Sequence, residues 1–406
     1  MTPKPSPRSL YGLDGFVFFV ADVLTAFGPF VAVYLTSQHW TQLDIGLVLT
    51  ISGLVALAGQ MPGGALVDAV RSQRLAAGLA IATVGAAALI LGMWPIFAVV
   101  LGAVVLQAAA VCVLGPAIAA ISLGLVGHAD IGERLGRNAR FASLGTGLAA
   151  VAMGASGYFV SNQAVFLVTA GFVVPALIAL ALIRADEIDP ERAHGGINDA
   201  NGGQRPKQRP MSLARLLRRR ALLVLAGCVM LFQLANAAML PLLGGVVTMR
   251  SSEWATVLVA ASIVVPQLVV AAVSPWIGRS AKRHGRRPLL LIGFAAVAIR
   301  GLMFAVVTDP YLLVAAQVFD GVAAAVFSVM VPFIVADIAR GTGRFNLSLG
   351  IIGTGTGIGA SLSTTLAGYV SDHFGSPVAF LGLAGVAAAG LALVWALMPE
   401  TRPDGR

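Results

Sequence analysis

The sequence predicts an all-α polytopic membrane protein, with twelve transmembrane helices arranged as two pseudo-symmetric six-helix bundles. Apolar residues make up 58% of the 406-residue chain and recur in runs of about 20, the length at which a helix crosses the hydrocarbon core of a bilayer. Charged residues make up only 11%, against about 25% in soluble domains, so the chain cannot cover itself with a polar surface. Basic residues alternate along the chain. All 27 Lys and Arg residues except Arg250 and Arg300 lie in the termini or around the segments that follow even-numbered apolar runs. That asymmetry predicts a multi-pass protein of the bacterial cytoplasmic (inner) membrane with both termini in the cytoplasm.

Breaking the chain at polar and Pro/Gly punctuation gives spans 1 to 6 at 12–36, 43–67, 75–94, 96–124, 138–160 and 163–183. Spans 7 to 12 follow at 221–249, 254–277, 288–307, 310–337, 345–370 and 376–397. Span 1 carries Asp14 and Asp22 and ends without a small-residue cleavage site, so it reads as a retained helix rather than a signal peptide. Residues 184–220 form the one long hydrophilic break. Within it DPERAHGGINDANGGQRPKQRP has the composition of a disordered linker, and MSLARLLRRR that of a basic amphipathic turn at the headgroups. The domain division is therefore 1–183 and 221–406, with 184–220 as a cytoplasmic linker.

The formal charge of +9 does not indicate nucleic acid, because its cations sit where membrane orientation needs them. The densest group, SPWIGRSAKRHGRRP at 274–288, is the connection between spans 8 and 9. No Ser-His, Cys-His or HExxH arrangement appears in the spans, so an enzyme is not expected. No Walker loop is readable and no cofactor is expected, which leaves an ion gradient as the energy source.

The halves repeat. Gly64 matches Gly278, Asp22 matches Asn236, Pro116 matches Pro332, Gly145 matches Gly355 and Gly157 matches Gly368, at offsets of 210 to 216 residues. Two similar halves in the same orientation imply a pseudo-two-fold axis along the membrane normal and a site near the midplane where the halves meet.

On these residues the chain resembles the major facilitator superfamily of secondary transporters over nearly its whole length. The family signature after helix 2 is Gly-x-x-x-Asp-(Arg/Lys)-x-Gly-Arg-(Arg/Lys), with a weaker copy after helix 8. The first copy here, GALVDAVRSQR, keeps Gly64, Asp68, Arg71 and Arg74 but lacks the inner glycine. The second, GRSAKRHGRR, keeps Gly278, Arg283, Gly285, Arg286 and Arg287, with Lys282 in place of the acid. The resemblance implies a cytoplasmic gating motif at both copies. Asp68 can cap the inner N-terminus of span 11 and Lys282 cannot, so the gate is expected to be asymmetric. The drug:proton antiporter branch is echoed by Gly145, Gly154 and Gly157, but its Gly-Pro pair and its arginine early in helix 4 are absent, and Gln107 is the polar residue deep in that span.

A charge at the bilayer centre costs at least about 2.5 kcal/mol, so Asp22, Arg300 and Asp320 each need an explanation. In the resembling fold helix 1 lines the central cavity, which makes Asp22 the first candidate to carry a proton or bind a cation. Its structural alternative is a carboxylate fixed by donors of its own bundle. Arg300 and Asp320 lie at matching depth on antiparallel neighbours and are expected to form a structural ion pair, with Asp320 also a coupling candidate. Gln107, Gln233 and Asn236 are candidate substrate ligands, although intramembrane amides more often join helices, as do Gln60, Gln267 and Gln317. Cys112 and Cys228 are weak candidates for a soft-metal or arsenite site, the alternative being small buried thiols.

The sequence therefore reads as a proton-coupled, alternating-access transporter, monomeric in the lipid bilayer, exporting a small amphiphilic or weakly cationic compound. A proton-coupled importer of a metabolite or siderophore, a metalloid or metal exporter, and a non-transporting membrane sensor of the same fold are the alternatives.

Overall fold

Hydrocarbon offers no partner to free backbone N–H and C=O groups, so a chain of such apolar runs satisfies them within helices. The computed structural model describes residues 5–25, 31, 34–35, 37–161, 163–196, 211–243 and 255–398, with the backbone alone described at 22–25, 42, 154, 158 and 255–260. The ends of spans 1 and 7, Arg250 and linker residues 197–210 lie outside the described residues. Within them the order is α1 (Pro7–Thr25), α2 (Gln42–Ala69), α3 (Gln73–Met93), α4 (Phe97–Phe159) and α5 (Ala164–Leu182). A 3₁₀ turn (Ala185–Glu187) and the short helices α6 (Pro190–Ala193) and α7 (Leu213–Leu217) follow. The chain continues with α8 (Arg220–Asn236), α9 (Ala255–His284), α10 (Arg287–Val306), α11 (Pro310–Ala339), α12 (Phe345–Phe374) and α13 (Ser376–Leu397).

Nine helices among the described residues are long and apolar enough to cross a membrane. One of them, α4, holds spans 4 and 5. With α1, described as far as Thr25, and α12, whose Gly, Ser and Thr residues dilute its hydropathy, they account for the twelve spans. Local chemistry sets several boundaries. Thr41 accepts from Asp44 N at 3.1 Å and Ser72 from Leu75 N at 3.2 Å, capping α2 and α3. Asp309 accepts from Tyr311 N at 2.8 Å and Leu312 N at 3.1 Å, capping α11.

One expectation needs correction. The segment 125–137, read as a connection because of its charges, is helical except at Gly127. Gly127 has φ 69° and ψ 178°, a region essentially restricted to glycine, and there α4 breaks into two helices. Within this stretch Arg134 Nε donates to Asn138 Oδ1, one turn further along the helix, at 2.7 Å. Of the linker, residues 184–196 are described and make fixed contacts, while most of the stretch read as disordered, 197–210, lies outside the described residues. Asp189 caps α6, Ala193 is fully buried, and Ser9 Oγ accepts from Arg184 N at 3.0 Å, tying the linker's start to α1.

The chain forms two compact units. The first contains Met1–Ile131, Phe141–Met211 and Ala339–Gly350, and the second Gly132–Arg140, Ser212–Ile338 and Ile351–Arg406. In the first, α5 packs against α1 and α3; in the second, α13 packs against α8 and α10. The sequence repeat is thus repeated as packing. Leu13, Phe16, Ile81, Leu91 and Phe166 are fully buried in the first unit. In the second, Phe232 stacks on Phe327 at 3.7 Å, with Phe294 edge-on to Phe327 at 5.2 Å.

Candidate functional site

The first motif copy acts on the start of α12, within the first unit. Asp68, at the end of α2, accepts from Asn346 N at 3.1 Å and Asn346 Nδ2 at 2.8 Å through Oδ1, and from Leu347 N at 2.8 Å through Oδ2. An anion there meets both the free N–H groups and the positive end of the helix. Gly64 makes the approach possible, because a methyl at that position would overlap the Asn346 carbonyl. The linker completes the cap. His194 O accepts from Phe345 N at 3.3 Å, Ala193 O from Asn346 Nδ2 at 3.2 Å and Gly195 O from Gly341 N at 2.6 Å. His194 Nε2 lies 2.9 Å from Gln73 Nε2, joining the linker to α3, and burial holds this imidazole below its ordinary value. Arg71 is exposed and Arg74 half-buried.

The second copy, within the second unit, does different work. Gly285 takes φ 87° in the turn between α9 and α10. Arg286 pairs with Asp337 of α11 at 3.1 Å, both side chains being largely buried, and its guanidinium lies 4.4 Å from the centre of the Phe333 ring. Arg287 donates to the Trp395 carbonyl. Gly278 packs on the backbone of Gly132 and Glu133. Lys282 and Arg283 are exposed. Asp337, Asn346 and His194 are missing from the sequence-based candidates. Asp337 and Asn346 at span boundaries, and His194 in a linker, carry no periodicity signal that separates them from ordinary polar punctuation.

The intramembrane charges of the second unit meet. Arg300 of α10, 1% exposed, forms an ion pair with Asp320 of α11 and donates from a terminal guanidinium nitrogen to Asn236 Oδ1 of α8 at 3.1 Å. Asn236, a candidate substrate ligand by sequence, is therefore engaged by Arg300. Gln317 lies one turn before Asp320, is fully buried, and meets no hydrogen-bond partner among the described residues. Asp320 keeps about a fifth of its side chain exposed and Asn236 is half-buried, whereas Arg300 and Gln317 are buried.

The other candidates stand apart. Asp22 lies on α1 with its side chain outside the described residues. Gln107 is buried in α4 and Gln233 half-buried in α8. Cys112 Sγ donates to the carbonyls of Ala56 at 3.3 Å and Ala108 at 3.2 Å, and Gln60 Nε2 reaches the same sulfur at 3.8 Å. Cys228 is buried in the other unit. No group of three metal-ligating side chains occurs among the described residues.

Three comparisons bear on this arrangement. The model of the Major Facilitator Superfamily matches residues 14–279 and 251–406. Uncharacterised MFS-type transporters from two strains of Mycobacterium tuberculosis are 38% identical over 401 residues, covering 97% of this chain and 94% of theirs. The solved structure of the proton:xylose symporter XylE bound to 6-bromo-6-deoxy-D-glucose shares the fold, with a TM-score of 0.68 at 14% identity, over 97% of this chain and 96% of that one. The helices, their repeated packing and these matches agree, and the chain belongs to the major facilitator superfamily, as a multi-pass membrane transporter with the twelve-helix fold of that family.

Proposed function

We propose that the protein is a secondary transporter that works by alternating access, coupled to protons, and exports a small amphiphilic or weakly cationic compound. The observation that carries this reading is the Asp68 cap on α12. It joins the first sequence repeat to a helix of the second through three hydrogen bonds, enough to hold one state and few enough to release it. Coupling is assigned to Asp22 or Asp320, acids within the spans. Asp320 is the better supported by geometry, because its buried partner Arg300 gives any change in its charge a mechanical consequence across α8, α10 and α11. XylE, named as a proton symporter, is an instance of proton coupling on the same fold. The reading places the substrate near the midplane between the repeats, the basic connections and both termini in the cytoplasm, and the protein as a monomer in the cytoplasmic membrane.

Flux measured in proteoliposomes against a compound panel, with and without a pH gradient, tests it for wild type, Asp22→Asn and Asp320→Asn. Gradient-driven flux in wild type and its loss in one of the variants are expected. Equal driven flux in all three removes both carboxylates from the coupling step, and flux indifferent to the gradient removes proton coupling.

A further inference from the structure

The short helix α7 is held along one edge and open along the rest. Leu216 is fully buried, and the guanidinium of Arg219 donates to the Ile338 carbonyl near the end of α11 at 2.6 Å. These two contacts fix the rotation of the helix. Leu213 is 42% and Leu217 36% exposed, and at 100° per residue they lie about 40° apart on the open side. Arg215 and Arg218 share the next arc, about 60° apart, beyond exposed Ala214; Arg218 follows the last residue of the helix and keeps helical backbone angles. Arg220, exposed as well, opens α8, and exposed Leu223 lies one turn further on. An apolar strip and a band of cations thus lie side by side where the linker enters a membrane span. Arg215, Arg218 and Arg220 form no ion pair or side-chain hydrogen bond among the described residues, and no acid occurs between Met211 and Arg220 to offset them.

We propose that α7 docks on an acidic phospholipid surface, with Leu213 and Leu217 in the acyl boundary and Arg215, Arg218 and Arg220 binding headgroup phosphates. A helix lying in the interface buries an apolar face and keeps its cations at headgroup level, and α7 offers both. Arginine presents a planar fork that matches phosphate oxygens, and its aliphatic stem lies along apolar surface while the guanidinium stays in the polar layer. The choline of a zwitterionic headgroup offsets its phosphate, so the unpaired formal charges favour an acidic lipid. A helix of this length does not form alone in water, so Leu216 and Arg219 hold it in shape and present the face before lipid arrives. The apolar run of α8 begins at Ala221, which puts α7 within a turn or so of the edge of a span and favours lipid over a soluble acidic partner. The basic composition of this stretch left open which cations are free; the structure uses Arg219 on the bundle and leaves the others. The inference rests on the membrane location alone and is independent of the substrate, the coupling ion and the orientation of the spans.

The full-length protein in nanodiscs tests it. In a chain freed of Cys112 and Cys228, a fluorophore on Ala214→Cys reports contact with phospholipids brominated near the headgroup, and one on Leu223→Cys reports the adjoining span. At equal mole fraction, phosphatidylglycerol is expected to be enriched at position 214 over phosphatidylcholine on the order of tenfold. Arg215→Gln/Arg218→Gln/Arg220→Gln is expected to bring the two lipids level. Arg218→Gln alone, which spares most of the charge, is expected to lower the preference about threefold. Leu213→Ser/Leu217→Ser is expected to reduce quenching by both lipids at 214 and to leave the signal at 223 as it was. Quenching at 223 marks an inserted chain, so loss of contact at α7 is told apart from failed insertion. Equal quenching by the two lipids at 214 overturns the proposal, as does a preference that neither arginine variant reduces or a contact indifferent to the loss of both leucines. Quenching at 223 with none at 214 also overturns it and leaves the face to a soluble partner. Abolition of the preference by inorganic phosphate at constant ionic strength overturns it by making the arginines a free-anion site.

Discussion

Asp68 places a full negative charge on the first turn of α12, and the geometry uses both of its oxygens. An asparagine there keeps one acceptor and loses the charge, which removes about 0.3 to 1 kcal/mol of helix-end interaction as well as the charge-assisted part of the hydrogen bonds, together about 1 to 3 kcal/mol. Asp68→Asn is therefore expected to move the population towards the inward-open state by about fivefold or more, read as spin-label distances between the repeats, and Lys282→Gln to leave it nearly unchanged. Equal shifts from both would end the asymmetric-gate reading. His194 adds a pH term to the same cap. Burial lowers its folded-state value below the ordinary 6.5, so the unfolded chain takes up the proton first as the pH falls. The contribution of His194 is fully present above about 6.5 and is lost as the pH falls through its lower folded-state value. Hydrogen exchange at the Gly341 and Phe345 amides, corrected for intrinsic rate, is expected to be faster at about pH 5 than at about pH 7.5 in wild type. Burial also raises the capping carboxyl of Asp68 to about 6, inside the same window. His194→Gln should therefore reduce that difference and His194→Gln/Asp68→Asn should flatten it; an unchanged pH dependence in the double variant would assign the effect elsewhere.

At the level of elements, the Arg300–Asp320 pair decides how α10 and α11 sit against α8. Removing one member of a buried pair leaves an uncompensated charge, at a cost of about 3 to 5 kcal/mol, whereas replacing both with apolar residues is often neutral. Arg300→Met and Asp320→Leu are each expected to destabilise the detergent-solubilised protein by that order, and the double variant to recover most of the loss in thermal unfolding. Additive losses would mean that the two groups do not act as a pair. Matching depth on neighbouring spans was enough to read this pair from sequence, because position along a transmembrane helix follows from residue count. The engagement of Asn236 by Arg300 was not readable, since the rotational setting of α8 depends on packing with α13. The continuation of α4 through 128–137 was missed for a different reason: charge marks the edge of the membrane, and a helix is free to run past that edge.

For the whole molecule, the repeat and the charge asymmetry make one joint statement about orientation. In a chain freed of Cys112 and Cys228, cysteines introduced at Arg279 and at Tyr311 are expected to react with an impermeant thiol reagent from opposite faces of the membrane, Arg279→Cys from the cytoplasmic side. Labelling of both from one face would overturn the alternation on which the topology rests. The fold class, the approximate spans and the two-fold repeat were legible because hydropathy, charge and internal similarity are properties of short stretches and their order. The family followed from motif residues at set spacing, such as Gly64 and Asp68, without knowledge of what they touch.

Sequence by itself therefore determined the fold class, the approximate spans and that the halves are repeats. Only the tertiary structure decided what each polar group does. Asp68 and Asn346 are 278 residues apart, Arg286 finds its acid, Asp337, 51 residues away on α11, and the linker's His194, Ala193 and Gly195 finish the α12 cap. The physical reason is that hydrophobic insertion is summed residue by residue along the chain. A buried hydrogen bond or ion pair instead depends on the relative rotation and separation of two helices, which packing alone sets.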